Sequence, residues 1–293
     1  MSKKILATRH YPETGIDMLT REGFRVTVRP TDTPMTQQAL IAAAQAHDAL
    51  LCTLTELIDK DFLHQCRHLD IISQFAVGYD NIDVAEATRL GIPVGHTPDV
   101  LTEATADIAF GLMIAAARKM MFHHKQILKS RWGYFKPTGH LGMELKHKTL
   151  GIFGMGRIGM KMAERCKGAY HMDVIYHSRS VNPEAEQHLA ARRVSFEQLL
   201  RQSDVISVHC SLSDTTREIF DRSAFSLMKP DSLFINTARG GIHQEKDLLS
   251  ALENGRIGGA GLDVTNPEPM AADHPLLNME NVCILPHIGS ATH

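Results

Sequence analysis

The chain has 293 residues, 43% apolar and 22% charged, which excludes a disordered polyelectrolyte and suits two folded domains of ordinary size. Its 31 basic and 33 acidic residues leave a formal net charge of −2, so no strongly basic face is offered to nucleic acid.

The N-terminal MSKKILATRH lacks the apolar core of a signal peptide, and the longest apolar stretch, 108–117, is too short to span a bilayer. A cytoplasmic protein with no membrane partner is expected. The five cysteines, at 52, 66, 166, 210 and 283, form no CxxC and are odd in number, which points to reduced thiols rather than a disulfide framework. Among 17 histidines there is no HExxH and no paired Cys/His spacing. The neighbours His123 and His124 would point about 100° apart on a helix, so no metal site is expected.

Short apolar runs alternate with helical patterns, which predicts an α/β protein with parallel sheets. The first strands are KILAT (4–8), FRVTV (24–28), ALLCT (49–53), IISQFA (71–76) and IPVGH (92–96). Helices are predicted over 15–22 and 36–46, the second capped by Thr36. One long helix follows over 102–129, with Thr102 as its cap and Glu103 and Asp107 suiting its positive end. Its apolar interior predicts burial between domains or between subunits. Six more strands follow: TLGIF (149–153), DVIYH (173–177), DVISVH (204–209), SLFINT (232–237), GAGLDV (259–264) and VCILP (282–286). Helices are predicted among them at 160–167 and 244–254.

The turn after TLGIF reads G-x-G-x-x-G, with Gly154, Gly156 and Gly159. A strand precedes it, a helix follows, and a second strand ends about 20 residues on, the setting in which this triplet binds a dinucleotide. The first glycine permits the tight turn, the second lets backbone approach the pyrophosphate, and the third lets helix pack on strand. An acid normally closes the second strand and holds the ribose 2′-hydroxyl. Here that strand ends DVIYHSRS, placing Ser178, Arg179 and Ser180 there instead. Hydroxyls and a bidentate cation suit a 2′-phosphate, so NADP(H) is the preferred cofactor. The alternative is a plain surface arginine, with NAD(H) accepted through backbone contacts.

Three later strand ends carry reactive side chains: Arg239 in INTARG, Asp263 and Glu268 in LDVTNPEP, and His287 in LPHIGS. Each alone has an ordinary surface reading. Together, beside a dinucleotide turn, they suit reduction of a 2-oxo acid. Arginine offers a planar fork to carboxylate and carbonyl, histidine moves a proton near neutrality, and a carboxylate orients the ring.

These stretches, with AVGYDNIDV (76–84), TEATADIAF (102–110), GIFGMGRIGM (151–160) and PHIGSATH (286–293), make the chain resemble the D-isomer-specific 2-hydroxyacid dehydrogenase family, within it the glyoxylate/hydroxypyruvate reductase branch. The resemblance runs the length of the sequence. It implies a flavodoxin-like substrate-binding domain (1–99), a Rossmann dinucleotide-binding domain (100–286), a return segment beginning at 287–293, and an active site in the cleft between the domains. It implies Arg239 as the carboxylate-orienting residue, Glu268 as partner of the histidine and His287 as acid/base. Backbone around Val77 and Gly78 would grip the substrate carboxylate. The glycine turn through Arg157 and Ile158 would take the pyrophosphate, and Ser211, Thr237 and Asp263 would line the cofactor, Asp263 near the nicotinamide amide. A homodimer formed through the nucleotide-binding domain and the long helix would explain the apolar segment 106–121. The family also continues past PHIGSATH with a helix that returns to the first domain, whereas this sequence stops at His293.

The expected partner is thus a small 2-oxo or 2-hydroxy acid such as glyoxylate or hydroxypyruvate. Two alternatives are an NAD-linked dehydrogenase of a phosphorylated hydroxy acid such as 3-phosphoglycerate, and a dinucleotide-sensing corepressor. The loop 77–81 offers no cation of the kind a phosphorylated substrate would favour.

Overall fold

The computed structural model describes residues 2–292, so His293, the end of the closing motif, lies outside the described residues. The chain divides into two compact α/β units, Met1–Val100 and Leu101–His293.

The first unit alternates strand and helix: β1 (Lys4–Ala7), α1 (Glu13–Arg21), β2 (Arg25–Val28), α2 (Gln37–Ala44), β3 (Ala49–Cys52), α3 (Lys60–Gln65), β4 (Ile71–Gln74), α4 (Val84–Leu90) and β5 (Val94–Gly95). The parallel sheet has the order β2-β1-β3-β4-β5. Leu6, Leu50, Phe62, Leu63 and Ile72 fill its core. The Thr36 hydroxyl accepts from the Ala39 N–H and caps α2, as its position predicts.

The second unit opens with α5 (Thr102–Ala117) and α6 (Met120–Leu128). There follow β6 (Thr149–Phe153), α7 (Arg157–Tyr170), β7 (Asp173–His177), α8 (Pro183–Leu189), β8 (Arg192–Arg193), α9 (Phe196–Gln202), β9 (Val205–Val208), α10 (Arg222–Leu227), β10 (Leu233–Asn236), α11 (Glu245–Glu253), β11 (Gly259–Leu262) and β12 (Val282–Ile284). The parallel sheet runs β12-β11-β10-β9-β6-β7-β8. Connections wind outward in both directions from β6 and β9, which makes their carboxyl ends the switch point where ligands bind in such sheets. Strands β9, β10 and β11 are buried along their whole length, which is why they read as near-continuous apolar runs.

Three expectations need correction. Seven strands form this sheet rather than six; the added edge strand β8 is two exposed arginines with no apolar pattern to betray it. The helix expected over 102–129 is two helices, broken where Lys119 adopts φ +52°. Thr102 does not cap it: Leu101 stands at the N-cap, and no side chain accepts there. The buried face of α5, carried by residues such as Ala109, Leu112, Met113 and Ala116, packs against β10, β11, β12 and α7 of its own unit. Glu103 and Asp107 pair with Arg165 of α7 at 2.8 and 2.7 Å. Among the described residues no helix is long and apolar enough to cross a membrane.

Candidate active site

The glycine turn follows β6. Gly154 holds φ +100°, and a Cβ there would meet the Cys210 nitrogen at 2.7 Å, so the position needs glycine twice over. At Gly159 a Cβ would lie 2.5 Å from the Gly154 carbonyl oxygen, whereas at Gly156 nothing lies within 4 Å. The turn is therefore tight on its protein side and open where backbone would approach a ligand. Helix α7 begins at once at Arg157 and Ile158, with no side-chain cap and no acid in its first turn. Its first N–H groups suit an anion. The Thr237 hydroxyl oxygen, just past β10, is buried without a hydrogen-bond partner among the described residues. An orphaned polar atom of this kind calls for a ligand or water. The open glycine, the uncapped helix and the Thr237 hydroxyl fit a dinucleotide. Ser211, past β9, is exposed, and its carbonyl accepts from the Thr216 hydroxyl at 2.8 Å.

The end of β7 is braced to that turn. Gly154 N–H donates to the His177 carbonyl at 2.9 Å. The Met155 N–H donates to the Ser178 hydroxyl at 2.6 Å, and the Asn182 amide donates to the Met155 carbonyl at 3.0 Å. Ser178 is thus first a strut between the two loops; its hydroxyl proton remains for a ligand. Arg179 and Ser180 are exposed.

The reactive side chains stand past successive strands. After β12, His287 Nδ1 lies 2.6 Å from Glu268 Oε1. A carboxylate at that nitrogen favours the tautomer with the proton on Nδ1 and leaves Nε2 to exchange a proton. His287 holds φ +54°, a left-handed conformation that costs a residue with a Cβ about 1–2 kcal/mol. Asp263, past β11, supports it: its two carboxylate oxygens accept from the Ile288 and Gly289 N–H groups, each at 2.8 Å. The Thr105 hydroxyl of α5 donates to the Gly289 carbonyl at 3.0 Å. Burial pushes the Asp263 carboxyl above its ordinary range, opposed by those two N–H bonds.

After β10, the guanidinium of Arg239 donates to the Ala238 carbonyl at 2.7 Å. The buried Asn236 amide shapes this turn, donating to the Arg239 carbonyl and accepting from the Ala238 N–H, both at 2.9 Å. Its nitrogen also lies 3.1 Å from His243 Nδ1, and burial lowers His243 to about 4, so that ring stays neutral and accepts. In the first unit, past β4, His96 Nδ1 lies 3.0 Å from the Val77 carbonyl oxygen. The Gln74 amide donates to the Gly78 carbonyl at 3.2 Å and to Asn81 Oδ1 at 2.8 Å. These side chains fix the path of the turn.

The structure therefore joins Glu268 to His287, Asp263 to the segment after His287, and Ser178 to the glycine turn. Sequence reading missed the bracing residues Asn236, Asn182 and Gln74. Asn236 left a signal, a lone amide closing a fully apolar strand; the other two left none. Among the described residues no group of three or more His, Cys, Asp or Glu is placed to hold a metal ion.

Residues 110–289 match the family model for the D-isomer specific 2-hydroxyacid dehydrogenase NAD-binding domain. A glyoxylate reductase of Thermococcus litoralis is 42% identical over 297 residues, covering 100% of this chain and 89% of the relative. A glyoxylate reductase from Paecilomyes thermophila shares the fold with a TM-score of 0.88 at 33% identity, over 100% of this chain and 90% of that one. An NADPH-dependent glyoxylate/hydroxypyruvate reductase from Sinorhizobium meliloti, solved with NADP and malonate, aligns with a TM-score of 0.86 at 29% identity, over 100% of this chain and 88% of that one. With its strand-end residues and glycine turn in place, the chain belongs to the D-isomer specific 2-hydroxyacid dehydrogenase family and is an NAD(P)-dependent oxidoreductase.

Proposed function

We propose that the protein is an NADPH-dependent reductase of small 2-oxo acids, glyoxylate and hydroxypyruvate, giving the 2-hydroxy acids, of D configuration where carbon 2 is a stereocentre. The observation that carries this reading is the Glu268–His287 pair at 2.6 Å, on the same unit as the open glycine turn. In it, the first unit binds substrate and the second binds the dinucleotide. Gly154, Gly156, Arg157, Ile158 and Gly159 hold the pyrophosphate, and Ser211, Thr237 and Asp263 line the rest of the cofactor. The nicotinamide, when bound, supplies the hydride. Arg239 and the backbone of Val77 and Gly78 hold the substrate carboxylate. Glu268 fixes the His287 ring, and Nε2 delivers the proton to the carbonyl oxygen. Asp263, by gripping the two residues after His287, also keeps that histidine in place.

The preference for NADPH rests on Arg179 and Ser180 at the end of β7, helped by the hydroxyl proton of Ser178. No acid stands there to repel a 2′-phosphate. The S. meliloti relative was solved with NADP. Oxidation of NADPH and NADH, followed with glyoxylate, hydroxypyruvate and 3-phosphohydroxypyruvate, tests the reading. Turnover of the first two, faster with NADPH, is expected; turnover of the phosphorylated acid alone contradicts it.

The reading includes a homodimer. Trp132, Tyr134 and Phe135, beyond α6, are 81, 98 and 91% exposed, an apolar surface of the kind that marks protein contacts. Sedimentation velocity is expected to give twice the chain mass; a monomer at micromolar concentration contradicts this part.

A further inference from the structure

Beside the loop Ser178–Ser180 lies a second cation that the glycine fingerprint does not include. Arg193, on the edge strand β8, donates from Nε and Nη2 to the Ser178 carbonyl at 3.1 and 2.9 Å, and from Nη2 to the Arg179 carbonyl at 2.9 Å. One guanidinium thus bridges two consecutive carbonyls of the loop that presents Arg179. Its neighbour Arg192 is engaged elsewhere, donating to Gln202 Oε1 at 3.1 Å, as alternation along a strand requires.

From this geometry we infer that Arg193 is a specificity-determining residue for the dinucleotide: it fixes the backbone of the loop 178–180 and sets a full positive charge beside the place where a 2′-phosphate would be read. The inference rests on the reading of Arg179 as the 2′-phosphate cation. Two physical reasons support it. Carbonyl oxygens carry partial negative charge, and a pair of them beside a phosphate site would oppose the phosphate; the guanidinium covers both. An exposed loop must also lose backbone freedom to hold Arg179 in one place, and a bridge across two carbonyls removes that freedom before ligand arrives. The glycine turn is also held by bonds outside that loop, Gly154 N–H on the His177 carbonyl and the Asn182 amide on the Met155 carbonyl. Loss of Arg193 therefore acts on the 2′-phosphate and leaves the pyrophosphate contacts in place. Lysine cannot replace it, because a single ammonium does not present the planar fork.

Calorimetric titration of the whole protein with NADP+ and with NAD+ tests this. Arg179→Ala provides the benchmark, and is expected to weaken NADP+ far more than NAD+. Arg193→Met is expected to weaken NADP+ about tenfold while changing NAD+ less than twofold. Arg193→Lys, which keeps the charge without the fork, recovers only part of that loss, and Arg192→Met keeps the wild-type ratio. The ratio of kcat/KM for NADPH over NADH falls in parallel. Equal weakening of both cofactors by Arg193→Met marks a merely structural role and overturns the proposal. So does an unchanged ratio in a protein whose preference Arg179→Ala abolishes. A wild-type protein that binds NADP+ no better than NAD+ overturns the underlying reading of Arg179, and this proposal with it.

Discussion

His287→Ala is expected to lower kcat for glyoxylate about 1,000-fold while leaving the Kd for NADPH unchanged. Proton transfer from a positioned side chain contributes roughly 10²–10⁴-fold, and the imidazole is the group here that is held for it. Its Nδ1 is tied to Glu268 at 2.6 Å, and the following backbone is tied to Asp263 at 2.8 Å. A ring so restrained, in a left-handed backbone conformation, is one whose orientation the fold maintains at a cost in local strain. Alanine removes the proton donor, yet leaves the Asp263 bonds to the Ile288 and Gly289 N–H groups, so the fold and the cofactor site persist. Steady-state kinetics with a parallel binding titration check this. A kcat within tenfold of the wild type would remove His287 from the acid/base role.

Arg239→Ala is expected to act differently, raising KM for the oxo acid about 100-fold with a smaller change in kcat. Loss of a charge-assisted pair of hydrogen bonds to a carboxylate is worth on the order of 3 kcal/mol, which is about two decades of affinity. The turn that carries Arg239 is shaped by the Asn236 side chain through the backbone of Ala238 and Arg239, so truncation beyond Cβ leaves its path intact. Arg239→Lys restores the charge without the fork and is expected to recover only part of the loss. An unchanged KM in Arg239→Ala would mean that the substrate carboxylate is held elsewhere.

Much of the second unit was legible because buried parallel strands announce themselves. VISV, LFIN and GAGL are covered on both faces, so their apolar runs are near-continuous and their ends fall at chemically marked residues. The glycine turn was legible because backbone conformation and close packing restrict Gly154 and Gly159 to one residue type. What escaped has the opposite character. Strand β8 is two residues long, exposed and basic, and owes its strand form to pairing with β7 rather than to its own composition. The break at Lys119 occurs without glycine or proline, so local sequence gives no warning. Asp263 is expected from the sequence as a reactive strand-end residue beside the nicotinamide. Its grip on Ile288 and Gly289 joins residues 25 and 26 positions apart, a pairing no short motif contains. Ser178 was expected to face the ligand, but its oxygen is taken by an N–H 23 residues upstream. For β8, Asp263 and Ser178 the missing information is a long-range hydrogen bond created by the sheet order.

Reduction of small 2-oxo acids with NADPH is the activity proposed for this family member. It is tested most directly by kcat/KM for glyoxylate measured with NADPH and with NADH on the same preparation. A measurable rate with both, at least tenfold higher with NADPH, is the expected result. Equal rates, or a preference for NADH, would return Arg179 to the surface; no rate with either cofactor would contradict the reductase assignment itself.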